Sequence, residues 1–190
     1  MKKKLLMGIF TLGAAFTLTA CGNDNEEVNH ENMDMETNSS SGESMNMDHS
    51  GSGEALEDLA VAENPTYEVG SKVIIETDHM EGMKGAEATI VGAYDTIAYA
   101  ISYTPTTGGE RVENLKWIIQ EEVKEAGDEP FEPGTKVKVE AEHMKGMDGA
   151  TAEIDSAEPT TVYMIDYTPT TGGEKVTNHK WVTESELSAE

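Results

Sequence analysis

Methionine and histidine residues occur side by side in polar, glycine-rich segments of this sequence, outside any apolar run. Methionine usually fills gaps in apolar cores, so this placement suggests a different purpose. Thioether sulfur selects Cu(I), and imidazole nitrogen also suits copper. We therefore predict a metal site, with copper as the cofactor and Cu(I) favoured. The candidate ligands are His79, Met80, Met83, His143, Met144, Met147, Met45, Met47 and His49.

Two of these clusters lie in short loops that place three donors within five residues, as in the segment His79–Met83. Glycines in each loop would let the backbone curl so that the donors converge. Two other interpretations stay open. A glycine-rich turn whose methionines cover one end of a barrel needs no metal, and a harder cation could use Asp78 or Glu142 together with the histidine.

The remaining cluster lies in residues 21–63, a segment rich in Asn, Glu, Asp, Ser and Gly without any aromatic residue. Such a composition buries too little apolar surface to offset the entropy of ordering the backbone, so it predicts a disordered tether. A short helix over residues 54–63 is marginal. The tether methionines are either metal donors or ordinary components of a low-complexity linker.

The amino terminus predicts export and lipid anchoring. Three lysines at positions 2–4 precede an apolar stretch from Leu5 to Leu18, the layout of a secretory signal peptide over residues 1–20. The sequence Leu-Thr-Ala-Cys, ending at Cys21, resembles a bacterial lipobox and implies a lipid on the Cys21 sulfur. Two acyl chains would anchor the protein stably at the outer face of the cytoplasmic membrane.

The rest of the chain is a tandem repeat, because a shift of 64 residues superimposes Tyr67–Val123 on Phe131–Leu187 without a gap. Two motifs recur in it. Tyr-Thr-Pro-Thr-Thr-Gly-Gly-Glu occupies Tyr103–Glu110 and again Tyr167–Glu174. His-Met-x-Gly-Met-x-Gly-Ala occupies His79–Ala86 and again His143–Ala150. The boundary divides the repeats into residues 64–126 and 127–190.

Each repeat contains alternating apolar and polar stretches separated by Gly and Pro, the pattern of short strands and turns. The fold class predicted is mainly β, with two tandem small SH3-like β-barrel domains after a disordered tether. Helix signals are weak outside the acidic ends of the repeats. The elements expected in the second repeat are strands Lys136–Glu142, Ala150–Ile154 and Thr161–Tyr167, a turn at Glu158-Pro159 and short strands near Val176 and Trp181.

The residue types of the repeated Tyr-Thr-Pro-Thr-Thr-Gly-Gly-Glu segment do not indicate a catalytic or metal-binding role. Its Pro and Gly residues predict a turn, and Tyr103 and Tyr167 are expected to fill the cores. The segment could instead line a groove for a peptide or a cell-wall polymer.

Together, the lipobox, the methionine-bearing tether and the paired motifs resemble the YdhK-like family of Gram-positive lipoproteins. The resemblance covers nearly the whole chain and implies a tie to copper, with little else about function. One of the differences between the repeats matters here: the second has His179 where the first has Leu115. That histidine is therefore not essential to both.

Charge and absent motifs exclude other classes of function. The 190-residue chain has a formal net charge of -24, so phosphate backbones would repel it and nucleic acid is not an expected partner. The sequence has no Gly-x-Ser-x-Gly elbow or phosphate-binding loop, and we expect no enzymatic activity. The predicted function is metal binding by a membrane-anchored lipoprotein. The alternative is an envelope interaction module that binds a protein or cell-wall polymer without metal.

Overall fold

The computed structural model describes residue 51, residues 54–56 and residues 59–190, all within one compact unit, Met45–Glu190. The predicted lipidation site Cys21 and the tether donors Met45, Met47 and His49 lie outside the described residues. No helix in the described part of the chain is long and apolar enough to cross a membrane.

The described chain is mainly β, as the sequence predicts, with seven strands and two short 3₁₀ turns. The turns, Gln120–Glu122 and Glu184–Glu186, occupy the acidic ends of the repeats, where the sequence carries its helix signals. The strands are β1 (Lys72–Ile75), β2 (Glu87–Tyr103), β3 (Val112–Ile119), β4 (Lys136–Lys138), β5 (Thr151–Tyr167), β6 (Val176–Thr183) and β7 (Leu187–Ala189).

The longest strands, β2 and β5, pair with each other in antiparallel fashion along nearly their whole length, from Ala88 opposite Tyr167 to Tyr103 opposite Ala152. Thr96 faces Thr160, which holds the equivalent position in the other repeat. The two repeats are therefore related by a pseudo-two-fold axis through this pair. β3 joins β2, β4 and β6 join β5, and β1 lies between β2 and β7.

The turn expected at Glu158-Pro159 does not form, because β5 continues through it and Pro159 pairs with Ile97 of β2. A proline is tolerated in a strand at a position where no neighbouring strand needs a backbone N–H from it. On the other side of β5, β4 pairs only as far as Glu153 and β6 begins pairing at Val162. Pro159 thus lies in the stretch of β5 that has a single partner strand.

The expectation that each repeat forms its own barrel also needs correction, because each hydrophobic core is built from halves of both repeats. The first half of one repeat packs against the second half of the other, which follows from the β2–β5 pairing. The first core includes Val73, Ile75, Met83 and Ile90 with Tyr163, Ile165, Tyr167 and Val182. The second holds the equivalent residues Val137, Val139, Met147 and Ile154 with Tyr99, Ile101, Tyr103 and Ile118.

A third cluster lies near the pseudo-two-fold axis, around the buried indoles of Trp117 and Trp181. Leu59, which precedes the first repeat, is buried in this cluster. None of the described residues between 54 and 63 is helical; instead Val61 forms an isolated β-bridge with Tyr94. Leu59 and Val61, near the end of the predicted tether, therefore contact the β body.

Buried tyrosine hydroxyls give a first testable prediction. The Tyr103 hydroxyl has no hydrogen-bond partner in the described part of the chain, whereas the Tyr99 hydroxyl donates to Gln120 and accepts from the backbone N–H of Phe131 at 3.0 Å. We expect Tyr99→Phe to lower the free energy of unfolding by about 1–3 kcal/mol and Tyr103→Phe to leave it unchanged or raise it. Urea denaturation measures both, and equal losses would contradict this assignment.

Candidate functional site

A bridge of hydrogen bonds joins the first His-Met loop to the end of the second repeat. The His79 Nε2 atom lies 2.7 Å from Glu186 Oε1. The other carboxylate oxygen accepts from the indole N–H of Trp117 at 2.8 Å and from the backbone N–H of Thr183 at 3.0 Å. One carboxylate therefore ties a loop and a strand of the first repeat to the 3₁₀ turn of the second.

The same bridge occurs at the equivalent place with the repeats exchanged. His143 Nε2 lies 2.7 Å from Glu122 Oε1, and Glu122 Oε2 accepts from the Trp181 indole and from the Ile119 backbone N–H, both at 3.2 Å. Glu122 is nearly fully buried. Each histidine is thus fixed in orientation by a glutamate of the other repeat.

The ionisation of Glu186 indicates the direction of its hydrogen bond with His79. Burial alone would raise the pKa of the Glu186 carboxyl, but hydrogen bonds from His79, Thr183 and Trp117, together with the electrostatic attraction of His79, outweigh it and hold that pKa below its usual value. An ionised carboxylate only accepts, so His79 donates its Nε2–H to Glu186. Nδ1 is buried and has no partner among the described residues.

This arrangement matches the outer coordination shell of many metal sites. A metal-binding histidine commonly donates its second ring N–H to a carboxylate, which fixes the tautomer and orients the ring. The unpaired Nδ1 of His79 is the atom that such an arrangement leaves for a metal. The residues present therefore fit a metal ligand role for this histidine.

The two His-Met loops line one groove of about 650 Å³. Four of the predicted ligands, His79, Met80, His143 and Met144, border it, and each is only partly buried. His179 and its counterpart in the first repeat, Leu115, also line the groove. The His-Met loops of both repeats thus border one shared opening, although the loops lie 64 residues apart in sequence.

Two predicted ligands are placed elsewhere, so that part of the prediction is corrected. Met83 and Met147 have no exposed surface and are members of the two hydrophobic cores. Their thioethers contribute packing rather than groove surface, because the loop turns inward after the partly buried first methionine. Met164, within the expected strand Thr161–Tyr167, is buried in the third cluster.

The repeated Tyr-Thr-Pro-Thr-Thr-Gly-Gly-Glu segment holds the His-Met loop of the other repeat. The backbone N–H of Thr170 donates to the Gly82 carbonyl at 2.9 Å, and Thr106 makes the equivalent bond to Gly146 at 2.9 Å. Tyr103 and Tyr167 are fully buried in the cores, as predicted. A structural function for this segment is therefore observed, and its tyrosines do not line a surface.

The harder-cation alternative lacks a matching cluster in the described residues. Within residues 51, 54–56 and 59–190, no three His, Cys, Asp or Glu side chains form a group that could hold a metal ion. Asp78 and Glu142 are both exposed, and the hydrogen bonds of the neighbouring histidines go to Glu186 and Glu122 instead.

Sequence reasoning missed Glu122 and Glu186, although the sequence shows that this glutamate recurs in both repeats. They occupy equivalent positions of the two repeats, as do the tryptophans that donate to them. From the sequence alone, acidic residues near the end of a repeat are interpreted as solvent-exposed helix formers. Only the exchange of halves between repeats shows that they meet a histidine.

These features define a class of protein: a mainly β body of two tandem repeats that exchange halves and share one groove. A family model described as a protein of unknown function, DUF1541, matches residues 69–120 and 133–184, once in each repeat. A Bacillus subtilis (strain 168) protein described as uncharacterized protein YdhK is 61% identical over 188 residues, covering 98% of this chain and 89% of that protein. The chain belongs to the DUF1541 family.

Solved structures of ydhK from Bacillus subtilis are also similar. A crystal structure of this DUF1541 family protein is 68% identical, with a TM-score of 0.74, and covers 76% of this chain and 99% of that chain. A solution NMR structure of the ydhK C-terminal domain is 72% identical, with a TM-score of 0.62, and covers 65% of this chain and 93% of that chain.

Proposed function

We propose that this protein is an extracytoplasmic lipoprotein that binds copper in the groove between its two His-Met loops. Its anchor is a lipid on Cys21, and its place is the outer face of the bacterial cytoplasmic membrane. Its partners are that membrane and the metal ion, and its role is to sequester copper or pass it on without catalysing a reaction.

One observation carries this proposal: the groove gathers His79, Met80, His143 and Met144, which the sequence had singled out by type alone. Thioethers select Cu(I), and an imidazole held by a carboxylate is oriented for a metal. The unpaired Nδ1 of His79 supports the same assignment.

The connection to the tether gives further support. Gly51 itself lines the groove, and its backbone N–H donates to the Thr177 carbonyl at 2.9 Å. Lys180 Nζ donates to the Glu54 carbonyl at 2.6 Å, which holds the incoming chain at the same side. Residues 51 and 54 of the predicted tether therefore contact the body beside the groove.

A competition titration with Cu(I) tests the groove. The soluble chain beginning at Gly22 carries His30→Asn, Met33→Leu, Met35→Leu, Met45→Leu, Met47→Leu and His49→Asn to silence the tether. It is compared with the same chain carrying Met80→Leu and Met144→Leu. We expect the loop variant to bind Cu(I) more weakly by roughly tenfold or more. Each tenfold loss of affinity corresponds to about 1.4 kcal/mol of binding free energy. Leu is close to Met in volume, so the fold should persist.

The matched control replaces Met83 and Met147 by leucine in the same two loops. Because these side chains lie in the cores, we expect Cu(I) affinity to stay unchanged. Equal losses in both variants, or no Cu(I) uptake by the parent chain, would contradict the proposal. The envelope interaction module would then become the better account.

A further inference from the structure

The two ends of the groove differ at several lining positions, one of which changes the number of imidazoles. β3 and β6 occupy equivalent places, and Leu115 of β3 and His179 of β6 both line the groove at the matching residue. The adjoining His-Met pairs are the same in both repeats. Among the lining differences, this one gives one end an additional nitrogen donor.

The exchange of halves decides which loop His179 accompanies. In β6, His179 pairs with Ile165 of β5, and its ring lies 5.9 Å from the ring of Tyr167. Both of these partners belong to the first core, and Met80 packs against that core. The histidine of the second repeat thus lies at the end of the groove that holds the first repeat's His-Met loop.

Leu115 holds the corresponding place at the opposite end. It pairs with Ile101 of β2 and packs against the second core, which Met144 also contacts. One end of the groove therefore offers His79, Met80 and His179, while the other offers His143 and Met144 beside an apolar side chain.

We propose that the groove is an asymmetric copper site, in which the end formed by His79, Met80 and His179 binds the first Cu(I) and the opposite end binds more weakly. This inference rests on the proposed function and adds to it a residue, His179, and a stoichiometry. Two imidazoles and a thioether provide one more nitrogen donor than the other end has, and imidazole is a suitable copper ligand.

The chain supplies its own matched variants, because each repeat already carries the other's residue at this position. His179→Leu makes the first end resemble the second, and Leu115→His does the reverse. Both are made in the soluble chain beginning at Gly22 with the six methionine and histidine residues of the tether replaced as above. The free Cu(I) concentration is set by a competing chelator, and bound Cu(I) per chain is measured across the titration.

We expect one tight equivalent of Cu(I), with a second equivalent weaker by roughly tenfold or more. His179→Leu should bring the first equivalent to the affinity of the second, and Leu115→His should give two tight equivalents. Two equal equivalents that His179→Leu leaves unchanged would overturn the asymmetry while leaving the proposed function standing. No uptake by the parent chain would overturn both.

Discussion

Replacing Glu122 by alanine is expected to lower the free energy of unfolding by about 3–5 kcal/mol. The Glu122 carboxylate is nearly fully buried and takes hydrogen bonds from His143, the Trp181 indole and the Ile119 backbone. Its removal leaves three donors without an acceptor, and each unsatisfied buried group costs about 1–3 kcal/mol before water replaces part of the loss. Urea denaturation followed by tryptophan fluorescence measures the change.

The neighbouring Glu121 provides the control for this substitution. It is exposed, and its carboxylate accepts from the Thr96 hydroxyl at 2.7 Å. We expect Glu121→Ala to change the free energy of unfolding by less than about 1 kcal/mol, since exposed hydrogen bonds contribute little net stability. Similar effects of the two substitutions would show that the bridge between the repeats does not stabilise the fold.

Replacing Gly82 by alanine is expected to destabilise the protein by about 2–5 kcal/mol. Gly82 has φ +79°, where a side chain is strained, and an added Cβ would lie 2.7 Å from Thr171 Oγ1 and 2.8 Å from Pro169 Cβ. Both neighbours belong to the other repeat's turn. The substitution would therefore push apart the loop and the turn that holds it.

Gly85 separates the backbone strain from the clash. It has the same φ of +79°, but an added Cβ would meet nothing within 4 Å. Gly85→Ala should cost only the left-handed backbone penalty, about 1–2 kcal/mol. If thermal or urea denaturation gave the same loss for both alanine variants, the contact between the turn and the loop would contribute nothing.

The tandem repeat, the β class and the burial of Tyr103 and Tyr167 could be predicted from the sequence, because repetition and two-residue alternation are local signals. The exchange of halves could not. Contacts within one repeat and contacts between equivalent halves of two repeats satisfy the same pattern of apolar residues. Only the unbroken β5, which runs through Pro159 and pairs along β2, decides between them.

Only part of the candidate site could be predicted from the sequence, and the reason is similar. Residue type alone selected His79 and Met80, which border the groove, and also Met83, which is buried. Methionine is suited both to a hydrophobic core and to a soft metal. The spacing of three residues between Met80 and Met83 therefore could not show which of them lies in the core. The role of Glu186 depends on a contact between residues 107 positions apart.

Nuclear magnetic resonance of ¹³C-methyl-labelled methionine during Cu(I) addition tests the central claim most directly, because each methionine methyl reports on its own thioether. The soluble chain beginning at Gly22 is used with its tether intact. The proposed copper groove predicts that the Met80 and Met144 methyl resonances shift strongly, with Met80 leading, while the buried Met83, Met147 and Met164 resonances move little. Cu(I) uptake that leaves Met80 and Met144 unchanged, or shifts only the tether methionines, would contradict it.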